Sequence, residues 1–371
     1  MRSPKTLAAI GAGVLTLGVA ACGSSSDSST TSTGSGGSSS PTAKQGGSIN
    51  GAGATFPQPV YQELAARFKD KTGTTVNYQG IGSGGGVAQF TAGTVDFGAT
   101  DSALKDEEVA AASKKSMPLD IPTVFGAVTV SYNVKGVEKG LQLDGQTVAD
   151  IYLGKVKTWN DPAIAKQNAG KQLPATAITV CHRSDESGTT KLFTTFLAAY
   201  SPEWTKGPGV DKTVKWPTGT GAKGNDGVAA CVKQTDGAVG YVEQAYALQN
   251  SFTFANLKNK AGKYVEPTLA STSAAGEGVK VPADLRFSAI DAPGAGSYPI
   301  ASSTFILVYQ DACKAGQPEA KAKLVKSFLD YVLGEGQKVA PQLQYAPQPA
   351  PILAKAKAKV AGLQCNGKPL S

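Results

Sequence analysis

One local pattern recurs three times in this chain in different residues: a short apolar strand, a glycine-containing turn, and a Ser or Thr opening a helix. The copies are Ile49 to Pro57 (INGAGATFP), Val76 to Gly86 (VNYQGIGSGGG) and Ile178 to Thr190 (ITVCHRSDESGTT). Each hands a strand over to a helix, so the chain reads as alternating α/β. A helix start leaves backbone N–H groups unpaired and carries the positive end of the macrodipole, and adjacent hydroxyls add donors. Three such starts brought together can replace the water shell of a small, multiply charged oxyanion. The pattern points to binding rather than bond-making.

The remaining periodicity supports the same class. After Pro57, the apolar positions Val60, Leu64 and Phe68 predict a helix ending at Gly73. Strands are predicted at 75–78, 94–99, 122–134, 178–181, 238–242 and 300–308, and helices at 86–92, 146–152, 162–167, from 190, 226–232 and 319–333. Residues 251–298 are weakly patterned. The 324 residues from Ser48 onward exceed a comfortable single core, so two domains are expected. Chain crossings near 125 and 299 make a hinged pair, with the ligand in the cleft.

The N-terminus has a different character. Met1–Lys5 is a short basic head, and the mostly apolar stretch from Leu7 to Ala21 is too short to span a bilayer as a mature helix. It reads as a secretory signal over 1–21. The following Val19-Ala-Ala-Cys22-Gly23 resembles the lipobox of bacterial lipoproteins, which implies cleavage before Cys22 and acylation of that residue. From Gly23 to Gly47, 25 residues include 10 Ser and 4 Thr and almost nothing apolar. Residues 22–47 are therefore expected to form a lipidated Cys and a tether spanning about 25–30 Å. This puts the protein outside the cytoplasm on the outer face of the cell membrane.

The net charge of +8 comes from scattered lysines, and the densest run (Lys355, Lys357, Lys359) alternates with Ala and Val on a predicted helix. No aromatic-interleaved basic stripe suggests nucleic acid. Setting Cys22 aside, Cys181, Cys231, Cys313 and Cys365 form an even set in an exported chain, so two disulfides are expected. Three connectivities are possible; Cys181–Cys231 with Cys313–Cys365, one inside each domain, is favoured. With no C-x-x-C spacing and His182 as the only histidine, no metal site is expected.

Two other chemistries compete for these motifs. Gly80-Ile-Gly-Ser-Gly-Gly85 formally matches G-x-G-x-x-G, with an acid, Asp101, 21 residues later. Its helix is short, however, and an exported protein has little access to nicotinamide cofactors. His182 beside Ser187 suggests an esterase or phosphatase, but Arg183 lowers the basicity of the imidazole and no G-x-S-x-G elbow is present. No cofactor is expected.

Gly51–Pro57, Tyr78–Ser83, Thr94–Asp101 and Ser187–Thr189 resemble the signature segments of the phosphate-binding proteins (PstS family) of bacterial phosphate ABC transporters. Asp150–Lys155, Gly224–Gly227 and Gly240–Glu243 add to the resemblance, which runs from about Ser48 to about Tyr345. It implies a two-lobed class II periplasmic-binding-protein fold, with lobe I formed by 48–126 and 300–371 and lobe II by 127–299. It also implies a non-enzymatic receptor that closes on inorganic phosphate and delivers it to membrane permease subunits driven by a cytoplasmic ATPase. The implied ligand contacts are Ala54, Thr55, Phe56, Ser83, Asp101, Arg183, Ser187, Gly188 and Thr189, with Asp185 orienting Arg183. The hydroxyls and backbone N–H groups donate, and the guanidinium adds a permanent forked charge. Asp101 accepts the proton that phosphate keeps near neutral pH; sulfate has none to give and meets an unpaired like charge.

Overall fold

The structure is a computed structural model in which residues 46–371 are described; the expected leader, Cys22 and the tether up to residue 45 lie outside them. The described chain begins with β1 (Ser48–Gly53), α1 (Gln58–Thr72), β2 (Thr75–Gly80), α2 (Ser83–Ala92), β3 (Phe97–Thr100), α3 (Asp106–Ala112) and β4 (Pro118–Asn133). Next come β5 (Gln142–Leu143), α4 (Gly145–Tyr152), α5 (Pro162–Ala165), β6 (Thr179–Arg183), α6 (Gly188–Tyr200), α7 (Pro202–Lys206), β7 (Thr220–Ala222) and α8 (Gly224–Gln234). β8 (Ala238–Glu243), α9 (Gln244–Gln249), β9 (Thr253–Phe254), β10 (Asn256–Lys258), β11 (Tyr264–Val265), α10 (Leu269–Glu277), β12 (Ala301–Tyr309) and α11 (Glu319–Leu333) follow. A last helix occupies Ala350–Ala361 and carries the three predicted lysines.

The main sheet runs in the order β2-β1-β3-β12-β4-β8-β6-β7. Its centre is β4, buried along all but its last residue, as a strand covered on both faces must be. From Pro118 to Ala127 it pairs antiparallel with β12, and from Val128 to Asn133 antiparallel with β8. One continuous strand thus serves two halves of a curled sheet, giving a two-lobed α/β fold. β1, β2 and β3 are parallel on one side, and β6, β7 and β8 are parallel on the other. Pro122 lacks an N–H, and the register with β12 slips between Thr304 and Phe305 to accommodate it. The residue left over, Thr123, turns its hydroxyl to the Tyr61 hydroxyl at 2.7 Å and the Thr304 carbonyl at 3.2 Å.

α1 buries Val60, Tyr61, Leu64, Ala65 and Phe68 along one stripe and ends at Gly73, left-handed at φ 78°. The helix predicted at 86–92 starts earlier, at Ser83, although three glycines open it. The reason is close approach: a Cβ on Gly86 would stand 2.5 Å from the Gly53 Cα and 2.6 Å from the Ala99 carbonyl oxygen, so α2 lies directly on the strand backbones. β3 is shorter than the predicted 94–99, because Gly93 at φ 77° caps α2 and Thr94 still bonds back to Gln89. α3, which periodicity did not indicate, is started by Glu108 accepting from the Lys105 N–H at 2.8 Å. The weakly patterned 251–298 contains three two- or three-residue strands and α10.

Both favoured disulfides are present. Cys181–Cys231 ties β6 to α8, and Cys313–Cys365 ties the turn after β12 to the C-terminal segment. Loops of about fifty residues closed this way each stabilise the fold by about 4 kcal/mol in the chain-entropy treatment.

Candidate anion-binding site

The three strand–turn–helix segments meet between the two halves of the sheet. β1 and β2 are neighbours and deliver the Ala54–Pro57 turn and the start of α2, while β6 delivers the start of α6 from the other side. Gly84 N–H donates to the Glu186 carbonyl at 3.0 Å, joining the second and third segments across the cleft. A Cβ on Gly188 would fall 2.3 Å from Ser83 Oγ and 2.6 Å from Asp101 Oδ2. Only glycine lets α6 approach that closely. Ala54, Thr55, Phe56, Ser83, Asp101, Arg183, Ser187, Gly188 and Thr189 are all buried around this junction.

The three helix starts are not equivalent. Ser187 caps α6 as its position predicts, accepting from Thr190 N–H at 3.1 Å. Thr55 caps nothing; its Oγ1 accepts from the backbone N–H of Asn225 at 3.2 Å and from Asn225 Nδ2 at 2.8 Å. Thr189 Oγ1 accepts from Arg183 Nη1 and from Asn225 Nδ2, both at 3.3 Å. In Thr55 and Thr189 the protein occupies the lone pairs, so each O–H proton is left to be donated into the cleft. Asn225 is the residue that motif reasoning passed over: both its amide protons are spent on site threonines, and its Oδ1 accepts from Glu243 N–H at 2.9 Å. The clue was the Gly224–Gly227 segment, a fourth helix start with an amide side chain.

Arg183 stands at the end of β6 with a nearly fully buried side chain. Its Nε donates to Asp185 Oδ1 at 2.7 Å and its Nη2 to Asp185 Oδ2, a fork-on-fork pair. Asp185 Oδ1 also accepts from Gly224 N–H at 3.0 Å. Burial alone would push the Asp185 carboxyl up, but the Arg183 bonds and charge outweigh it and hold the group below the ordinary range. The Arg183 backbone N–H donates to the Tyr241 hydroxyl at 3.0 Å, and that hydroxyl lies 2.6 Å from Thr190 Oγ1, so β6 and α6 are set by one phenol. His182, next along the strand, stacks on Trp216 with ring centroids 4.7 Å apart, and its Nδ1 sits 3.0 Å from the Arg183 carbonyl. Alternation along the strand puts it on the face opposite Arg183.

A family model for the PBP superfamily domain matches residues 38–335. The chain is 43% identical over 318 residues to the phosphate-binding protein PstS of Pasteurella multocida, covering 85% of this chain and 90% of that protein. It is 41% identical over 320 residues to PstS of Haemophilus influenzae, covering 85% and 93%. This chain belongs to the PstS phosphate-binding protein family. Among solved structures, a high affinity periplasmic phosphate-binding protein (PfluDING) bound with phosphate matches at a TM-score of 0.69 and 25% identity, over 84% of this chain and 93% of that one. A human phosphate binding apolipoprotein shares the fold, with a TM-score of 0.70 at 22% identity.

Within this PstS family member, Asp101 is the group whose surroundings are least expected. It follows β3, and its Oδ1 accepts from Thr304 Oγ1 of β12 at 3.0 Å. Its Oδ2 lies 3.3 Å from Ser83 Oγ, which also accepts from the Asp101 N–H at 3.3 Å. No guanidinium fork neutralises it. Desolvation pushes the carboxyl up to about 7, against the opposing pull of the Thr304 and Ser83 bonds and the charges of Arg183 and Lys212. Thr304 carried no motif signal: it ends the Ser302-Ser303-Thr304 run of a strand about two hundred residues further along the chain. At neutral pH Asp101 therefore exchanges a proton readily, and it can accept a hydrogen bond from a protonated oxyanion or donate one to a deprotonated oxyanion.

Proposed function

We propose that this chain is an extracytoplasmic receptor that captures inorganic phosphate by closure of its two lobes and hands it to the permease of a phosphate ABC transporter with a cytoplasmic ATPase. The single observation that carries the reading is the buried meeting of one guanidinium and one carboxyl held only by hydroxyls with further hydroxyls whose lone pairs are already occupied. Such a lining offers donors on several sides, a permanent positive charge, and one acceptor for the ligand's proton. Thr55, Ser83, Ser187 and Thr189 supply hydroxyls, the Ala54–Phe56 turn and Gly188 supply backbone, Arg183 supplies charge and Asp101 reads the hydrogen. The curated relatives named PstS support the ligand and the transport setting.

The lobes are assigned as 48–126 with 300–371, and 127–299, consistent with β4 changing partners between Ala127 and Val128. Lipidation at Cys22 and the tether to residue 47 hold the receptor at the outer face of the membrane. The protein is not an enzyme on this reading: the site residues are buried, and His182 is turned to Trp216.

Calorimetry with phosphate, sulfate and a phosphomonoester, run beside a turnover assay on the ester, tests the proposal. Tight binding of phosphate alone with no turnover is expected. Catalytic release of phosphate from the ester would replace the receptor with a phosphohydrolase.

A further inference from the structure

Beyond the ligand junction, a second set of charges joins the two halves of the fold. α3 packs with α2 and β12 through Val87, Phe90, Leu104, Val109 and Leu307, on the Asp101 side. The 210–212 segment is tied to α6 on the Arg183 side: Lys191 Nζ donates to the Val210 carbonyl at 3.2 Å, and Ser187 N–H to the Lys212 carbonyl at 2.9 Å. Between these segments run two ion pairs of opposite polarity. Lys105 Nζ on the first side meets Asp211 Oδ2 at 2.9 Å, and Lys212 Nζ on the second side meets Glu108 Oε1.

We infer that Lys105–Asp211 and Lys212–Glu108 form a reciprocal latch that positions the closed cleft and governs how long phosphate remains bound. The inference rests on the phosphate-receptor reading above. Three features separate the latch from ordinary surface pairs. The Lys212 side chain is only 2% exposed and that of Glu108 17%, so their pairing is largely withdrawn from solvent and is screened less than an exposed pair. The Lys212 carbonyl holds the N–H of Ser187, the cap of the ligand-facing helix, so the lysine is coupled to the site through a single residue. The two pairs run in opposite polarity, so a slipped closure would set Lys105 against Lys212 and Asp211 against Glu108. Only one docking register makes both pairs.

Each side also has local compensation that survives opening. Lys105 Nζ lies 3.8 Å from Glu107, and Asp211 Oδ1 accepts from Lys212 N–H at 2.7 Å. Partial burial pushes the Asp211 carboxyl up, but the bond from Lys105 and the Lys212 N–H outweigh it and keep it ionised below the usual carboxylate range. Opening the cleft therefore leaves Lys105 and Asp211 each with a local partner, whereas Lys212 and Glu108 lose their ion pair. Because the ligand residues are buried, release requires opening, and the latch acts on the dissociation rate more than on association.

The test is stopped-flow phosphate release from the full chain. Lys105→Glu and Asp211→Lys each accelerate release about tenfold, and the combined reversal returns it to within about threefold of the parent. Lys212→Met accelerates release about tenfold as well. Unchanged release in the single variants, or a combined reversal as fast as the product of the two, overturns the latch. Calorimetry on the parent keeps the two readings apart: absence of phosphate binding there overturns the receptor assignment. In that event X-ray scattering judges the latch alone, since expansion of the Lys105→Glu variant and recovery on combined reversal support it, and identical dimensions throughout overturn it.

Discussion

Arg183 and Asp101 are buried to nearly the same degree, 3% and 1% exposed, on opposite sides of one junction, yet the fold treats them in opposite ways. Arg183 receives a bidentate carboxylate partner two residues away, supplied by its own turn. Asp101 receives only hydroxyls, Ser83 from its own half of the sheet and Thr304 from the neighbouring strand. The guanidinium meets its counter-charge inside its own turn, while the carboxyl has no such partner and is pushed up to about 7 by burial. On the reading proposed above, the first supplies constant attraction and the second a readout of the ligand's proton.

The largest expected effect separates these roles through stability. A carboxyl raised from 3.8 to about 7 binds its proton more tightly in the folded state than in the unfolded state. Its stabilising contribution is complete below pH ~4 and is lost as pH rises through about 7. Asp101→Asn removes this dependence, so phosphate-free variant and parent should match near pH 4 and diverge to about 4 kcal/mol in the variant's favour above pH 7. Urea unfolding across that range checks it; a constant difference would mean that Asp101 is no harder to ionise than an exposed acid. Next in size, Arg183→Ala should weaken phosphate binding by about 2–3 kcal/mol, the worth of one charge-assisted contact, without abolishing it. Calorimetry that detects no residual binding would show that the neutral donors matter less than the comparison implies. Smallest, Asp101→Asn should lower discrimination against sulfate by about tenfold, since an amide can donate to an oxygen that carries no proton. Competition calorimetry with an unaltered preference would remove the proton-reading role.

Much of the architecture was legible in local chemistry. α11 was bounded at 319–333 by its stripe of Val325, Phe328, Leu329 and Val332, and α1 by Pro57 and Gly73. The boundaries that shifted were those decided by contact. Ser83 starts α2 because glycines allow helix to rest on strand, and β4 begins four residues early because β12 covers Pro118–Ile121. α3 escaped notice because seven residues, with only Ala112 buried, leave no readable apolar stripe.

The site shows the same division. Helix starts, their hydroxyls, the Arg183–Asp185 spacing and the even set of cysteines are local or compositional features, and a linear reading can recover them. Asn225 bridging Thr55 and Thr189, Thr304 reaching Asp101, and Lys105 and Glu108 meeting 211–212 join residues distant in the chain. The amino-acid order by itself determined which groups could donate, accept or carry charge. Tertiary structure alone decided which of them would be dehydrated and which neighbour each would face. Desolvation and through-space charge depend on what surrounds a group in three dimensions, and neither is a property of its sequence neighbours.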